Sequence, residues 1–175
     1  MPDEQAPHVS IADIVARLEQ SRRSLMDAIT GLDEAGFRAR PQQGGWTAAE
    51  TLAHLLITER NSAGRARAAL AQENPQFAWV SDQQLEEEAR SARRMPVPQV
   101  VHGLLAQRRD VVTLLGPLSP QQLARPYRQE RRGQLTVGWL FQHIAGHEEE
   151  HAEQIRAQLV LPGKDRRNRG AADSL

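Results

Sequence analysis

An all-α four-helix bundle is the fold class this chain predicts, on three observations. Four long segments repeat apolar residues at three- and four-residue spacing. No segment shows the period-two alternation of β-branched residues that a sheet needs, and each long segment is bounded by residues that cap or break helices. At 175 residues with 39% hydrophobic content the chain can bury one helical core without staples. The expected organisation is one domain over residues 1–163 and a disordered polar tail over 164–175.

Ser10 stands as the cap of a first helix, whose apolar positions Ile11, Ile14, Val15, Leu18, Leu25, Ile29 and Leu32 form one stripe. Pro41, Gly44 and Gly45 then make a loop. Thr47 follows at an N-cap position with Glu50 three residues on, the pattern of a capping box. This second helix carries Leu52, Leu55, Leu56, Ala63, Ala66 and Leu70 and stops at Asn74-Pro75, because proline cannot continue the hydrogen-bond ladder. Its alanine-rich face points to close helix packing.

The stretch from Ser81 to Arg94 is mostly charged and offers only Leu85, Ala89 and Ala92 for burial, so a short extra surface helix is expected between helices two and three. Pro96 and Pro98 open the third helix, with Val101, Leu104, Leu105, Val111, Val112 and Leu115 on its stripe and Gly116-Pro117 at its end. Ser119 to Gly133 reads as a polar connection. Thr136 begins the fourth helix, which carries Val137, Leu140, Phe141, Ile144, Ile155 and Leu159 up to Pro162-Gly163.

Composition narrows the function. Lysine plus arginine and aspartate plus glutamate both number 22, so no global field recruits nucleic acid or an anionic membrane, and no helix is strongly basic. The chain has no cysteine, which excludes disulfides and thiolate metal sites; a bound metal must be held by histidine, carboxylate or water. No window approaches the roughly 20 apolar residues of a membrane span, and the N-terminal residues are polar and acidic, so a cytoplasmic location and a small-molecule partner are expected.

Half of the six histidines, His143, His147 and His151, fall on the fourth helix at four-residue spacing and therefore stack on one side. All three cannot bind one ion: eight residues of helix rise about 12 Å, whereas two nitrogens on one ion at about 2.1 Å each are at most about 4 Å apart. On a helical wheel with Ile144 at zero, the apolar arc spans roughly −40° to +60°, His151 lies at about −20°, His147 at about −60° and His143 near −100°. The inward pair is His147 with His151, and His143 is a pocket-edge residue. Glu148 falls at about +40°, inside the apolar arc. A carboxylate there requires pairing, a metal or a ligand histidine to support. The third ligand can come from His54 on the second helix or His102 on the third, since His8 lies in the terminal segment. His102 reads as a surface residue. His54 shares its side with Thr47, Thr58 and Asn61, which is either a solvent face or a polar groove.

The blocks GGWTAAETLAHLLITE, GQLTVGWL and HIAGHEEEHAEQI together resemble the DinB-like superfamily of four-helix bundles over nearly the whole chain. That family includes metal-dependent hydrolases and thiol-dependent S-transferases. In it, a histidine of the second helix that follows a tryptophan joins an HxxxH pair on the last helix to hold a divalent metal. The resemblance implies that Trp46 matches the tryptophan and that His54, His147 and His151 are the ligands. The family's acidic residue after the first histidine is not cleanly matched: Ile57 stands at the third position and Glu59 only at the fifth.

Three neutral imidazoles leave coordination positions open, as sites that do chemistry require. The expectation is one divalent ion, whether zinc, nickel, iron or manganese, that activates water for hydrolysis or a low-molecular-weight thiol cosubstrate for transfer. By the resemblance, thiol transfer in detoxification or stress response leads. Arg125, Arg128, Arg131 and Arg132 are a candidate binding cluster for a carboxylated cosubstrate or, more simply, a solvated charge cluster. The alternative is a non-catalytic metal-binding or interaction module, dimeric through the alanine-rich second helix.

Overall fold

The computed structural model describes residues 10–42, 44–81, 83–84, 87–88 and 94–160. Helix α1 covers Ile11–Ile29 and begins in a capping box: Ser10 Oγ accepts from the Asp13 N–H at 3.1 Å, while the Asp13 carboxylate accepts from the Ser10 N–H at 3.2 Å. It stops one turn short of Leu32. Gly31, at a φ of +84° that side chains disfavour, turns the chain into the short helix α2, Glu34–Arg38, capped by Asp33. Helix α3, Ala48–Ala71, begins at Thr47 as expected. The Glu50 N–H donates to Thr47 Oγ1 at 3.2 Å and the Thr47 N–H to Glu50 Oε2 at 2.9 Å.

Helix α4 covers Val97–Leu115, α5 Pro120–Leu123 and α6 Val137–Val160. The four long helices α1, α3, α4 and α6 are the four predicted from periodicity. The expected extra surface helix is seen in part: residues 83–84 and 87–88 are helical, and the remainder of that stretch lies outside the described residues, as does the expected tail from 161 onward. No helix among the described residues is long and apolar enough to cross a membrane.

The stretch from Ser119 to Gly133 is not only a polar connection, and the chain is not free of strand. Besides α5, it contributes to a three-stranded sheet of β1, Gln76–Phe77, β2, Pro126–Gln129, and β3, Gly133–Thr136. The order is β1-β2-β3, with β1 parallel to β2 and β2 antiparallel to β3, Tyr127 facing Leu135 and Arg128 facing Gln134. Within β2, Tyr127 and Gln129 are buried while Arg128 between them is exposed. Four residues are too few for that alternation to stand out in sequence. Arg125 ties this region to α3, donating from Nε to the Ala69 carbonyl at 2.9 Å and from Nη2 to the Gln72 carbonyl at 2.8 Å. It satisfies carbonyls that a helix end leaves open, so Arg125 is structural.

The core has two apolar clusters, one around Leu25, Leu52, Leu55, Leu104 and Ile155, the other around Leu18, Val111, Tyr127, Phe141 and Ile144. Ala63, Ala66 and Ala69 of α3 are fully buried within the chain, where they pack in the helical core. A layer of charge crosses the same interior. Each long helix contributes one ionised residue, none more than 5% exposed: Arg22 from α1, Glu59 from α3, Arg108 from α4 and Glu148 from α6. Arg22 donates to Glu148 and Glu59, both at 2.6 Å, and Arg108 donates to the same two carboxylates at 2.8 Å. Ser21 Oγ adds a hydrogen bond to Glu148 at 2.6 Å. The remaining guanidinium protons reach the carbonyls of Leu104, from Arg22, and Leu18, from Arg108. Two positive and two negative charges cancel, and charge-assisted hydrogen bonds take up their polar atoms, which makes such burial tolerable.

Candidate metal centre

His54 sits two turns into α3, which is anchored by the Thr47 capping box, while His147 and His151 lie one turn apart on α6. The packing of α3 against α6 brings the three rings together. His147 Nε2 is 3.3 Å from His54 Nε2 and 3.1 Å from His151 Nε2, and the three residues each offer one nitrogen within 4.8 Å of the others. Two imidazole nitrogens bound to one tetrahedral ion at about 2.1 Å each would stand about 3.4 Å apart. The donor set therefore fits a divalent ion held by imidazole.

Protonation favours the same use. Burial, with the neighbouring His151, lowers the pKa of His54 from 6.5 to about 4. Burial, followed by His151, His54, His143 and Arg132, lowers that of His147 to about 3. Burial also lowers His151 and His143. All four rings are accordingly neutral at pH 7, the form in which imidazole is a ligand. His151 Nδ1–H donates to Gln154 Oε1 at 2.8 Å, which leaves the Nε2 lone pair directed at the other two rings. Among the described residues, His54 Nδ1 is buried without a hydrogen-bond partner, while its Nε2 faces His147. Trp46 closes one side, edge-on to His54 at 4.7 Å and stacked on His151 at 6.4 Å.

The other side opens on a cavity of about 200 Å³ lined by His54, His143, His147, Trp139, Arg65 and Arg132, among others. His143 lies on its wall, stacked between Trp139 at 4.6 Å and His147 at 5.7 Å. Glu148 lines the same cavity but is engaged by Arg22, Arg108 and Ser21 rather than by a histidine. Glu59, the acidic residue found five positions after His54, is paired in the same way. His102 lies exposed on α4 and takes no part; His8 lies outside the described residues. Sequence reasoning did not single out Gln154, Arg22 or Arg108. For the two arginines a signal existed, since each interrupts a buried stripe: Leu18, Arg22, Leu25 in one case and Leu104, Arg108, Val111 in the other.

A sequence model of the DinB superfamily matches residues 17–155. The chain belongs to that superfamily. Among DinB-like relatives, it is 22% identical over 153 residues to a protein of Oceanobacillus iheyensis named as a putative metal-dependent hydrolase, covering 87% of this chain and 88% of that one. Its fold is that of YfiT from Bacillus subtilis, described as a probable metal-dependent hydrolase with an unusual four-helix bundle topology. The TM-score is 0.74 at 19% identity, over 91% of this chain and 93% of YfiT. The four-helix bundle protein TT2238 aligns with a TM-score of 0.53 at 23% identity, over 85% of this chain and 99% of that one.

Proposed function

We propose that the chain is a divalent-metal-dependent enzyme in which His54, His147 and His151 hold the ion and a small molecule reacts in the adjoining cavity. The reading rests on one observation: three neutral imidazoles from two helices bring ring nitrogens together, and two of them, His54 and His147, line a cavity. The names of the Oceanobacillus iheyensis and Bacillus subtilis relatives support it. Zinc, nickel, iron and manganese all accept such a donor set.

When bound, the ion supplies Lewis acidity that lowers the pKa of a nucleophile, either water or a low-molecular-weight thiol. The chain's own residues do the rest. Gln154 fixes the His151 tautomer, Trp46 covers the triad on one side, and the buried charge layer holds α6 against α1, α3 and α4. His143, neutral and on the cavity wall one turn before His147, is placed to accept or return a proton there. Glu59 and Glu148 are unsuited to that task, because two guanidiniums occupy them.

The test uses metal-loaded full-length protein with ester and amide substrates, and separately with thiols plus a chromogenic electrophile, comparing wild type with His151→Ala. Turnover that requires His151 is expected in one panel. Hydrolysis without added thiol assigns water as the nucleophile, and thiol-dependent product assigns transfer, a detoxification chemistry. Metal binding with no His151-dependent turnover in either panel would overturn the proposal and leave a non-catalytic metal-binding module.

A further inference from the structure

Two cations, Arg65 and Arg132, line the cavity without a carboxylate partner among the described residues. Arg65 of α3 lies over the Phe77 ring at 5.7 Å, and Arg132, in the β2–β3 turn, lies between Trp79 at 5.5 Å and Trp139 at 5.3 Å. Among the described residues neither guanidinium forms an ion pair or side-chain hydrogen bond. Of the carboxylates lining the cavity, Glu59 and Glu148 are neutralised by Arg22 and Arg108, which leaves Glu88 against two arginines. The charge of both arginines reaches His143, and that of Arg132 reaches His147 as well.

These cations sit at a defined end of the cavity. Arg65 follows His54 by three turns of α3, and Trp139 precedes His147 by two turns of α6. The two helices run in opposite directions, so both residues are displaced the same way from the triad. Trp139, His143 and His147 stack in succession, so a row of ring edges leads from the Arg132 guanidinium to the triad along about 12 Å of helix. Guanidiniums held on aromatic faces are pre-organised for carboxylate and phosphate oxygens, and ring edges favour the face of an aromatic body.

We infer that the cavity takes a small anion with an apolar or aromatic body, its carboxylate or phosphate held by Arg65 and Arg132, its body against the ring edges of Trp139 and His143, and its reacting end at the triad. This deepens the enzymatic reading and rests on it for the role of the triad. The anion subsite itself is tested without metal. Full-length protein dialysed free of metal is titrated by NMR with benzoate, phenyl phosphate and the neutral benzamide, in wild type and in Arg65→Gln, Arg132→Gln and Trp139→Leu. At least one anion should bind about tenfold or more tightly than benzamide, and each arginine variant should weaken that anion by about tenfold while leaving benzamide unchanged. Trp139→Leu should weaken benzamide and anion alike. The tighter of the two anions assigns carboxylate or phosphate. Metal content of the same variants, measured separately after loading, reads the triad, so loss of metal binding and loss of the anion subsite are told apart. Benzamide matching both anions, anion affinity unchanged in both arginine variants, or no anion binding at all would overturn the inference.

Discussion

His54 Nε2 and His147 Nε2 lie 3.3 Å apart although 93 residues separate them in the chain. Two uncharged ring nitrogens at that distance can share one proton between them, but His151 Nε2 also faces His147 at 3.1 Å, and one N–H cannot serve both. A cation satisfies all three lone pairs at once. Replacing His147 with alanine should therefore reduce bound metal from about one ion per chain to near zero by elemental analysis, with His54→Ala and His151→Ala severely weakened. His102→Ala should retain the wild-type content. Unchanged metal in both His54→Ala and His147→Ala would remove the site.

Acid should destabilise the metal-free protein through these rings. In the unfolded chain they titrate near 6.5, whereas burial lowers His54 to about 4 and His147 to about 3. Between those values the unfolded state binds more protons than the folded one, so stability is complete above about pH 6.5 and falls as pH drops towards 3. Urea midpoints of metal-free protein should be lower at pH 5 than at pH 7.5, and His147→Gln should flatten the difference. An equal or higher midpoint at pH 5 would contradict the sign.

The buried charge layer makes a second stability prediction. Glu148→Gln removes one charge and leaves Arg22 and Arg108 facing Glu59 alone, and breaking a buried pair in this way costs about 3 to 5 kcal/mol. Arg108→Met should cost a similar amount. The double variant restores neutrality, so its loss should be smaller than the sum of the two single losses. Strict additivity in urea melts would show that the four side chains do not act as one unit.

What the sequence revealed follows from how far each signal reaches along the chain. The caps at Ser10 and Thr47 depend on residues three positions apart, and the pairing of His147 with His151 on one turn, so both were legible from spacing. His54 could not be placed by the wheel because α3 is buried on every side from Ala48 to Leu56; a helix end surrounded by neighbours has no polar face for comparison. The resemblance to a known family chose it over His102. Glu148 was recognised as an expensive charge inside an apolar arc, but its partners Ser21, Arg22 and Arg108 lie 40 to 127 positions away, and only packing shows that they are two arginines and a serine rather than a histidine. The sheet escaped notice because its strands are two to four residues long and the two longer ones each follow an arginine.

Gln154 offers the most selective test of the centre, because its side chain is exposed and bonds to His151. Its Oε1 accepts the His151 Nδ1 proton at 2.8 Å from an exposed position one turn further along α6. That bond fixes which nitrogen of His151 carries the proton and orients the ring, a support whose removal lowers metal affinity by about 10- to 100-fold in comparable sites. Gln154→Ala should bring that loss in a competition titration against a chelator of known affinity. Because alanine is the better helix former and the side chain is exposed, the urea midpoint of the metal-free protein should stay within about 0.5 kcal/mol of wild type. Gln154→Glu keeps an acceptor at the same reach and should restore metal affinity. Equal affinity in wild type and Gln154→Ala would mean that His151 is held by its packing against Trp46 alone.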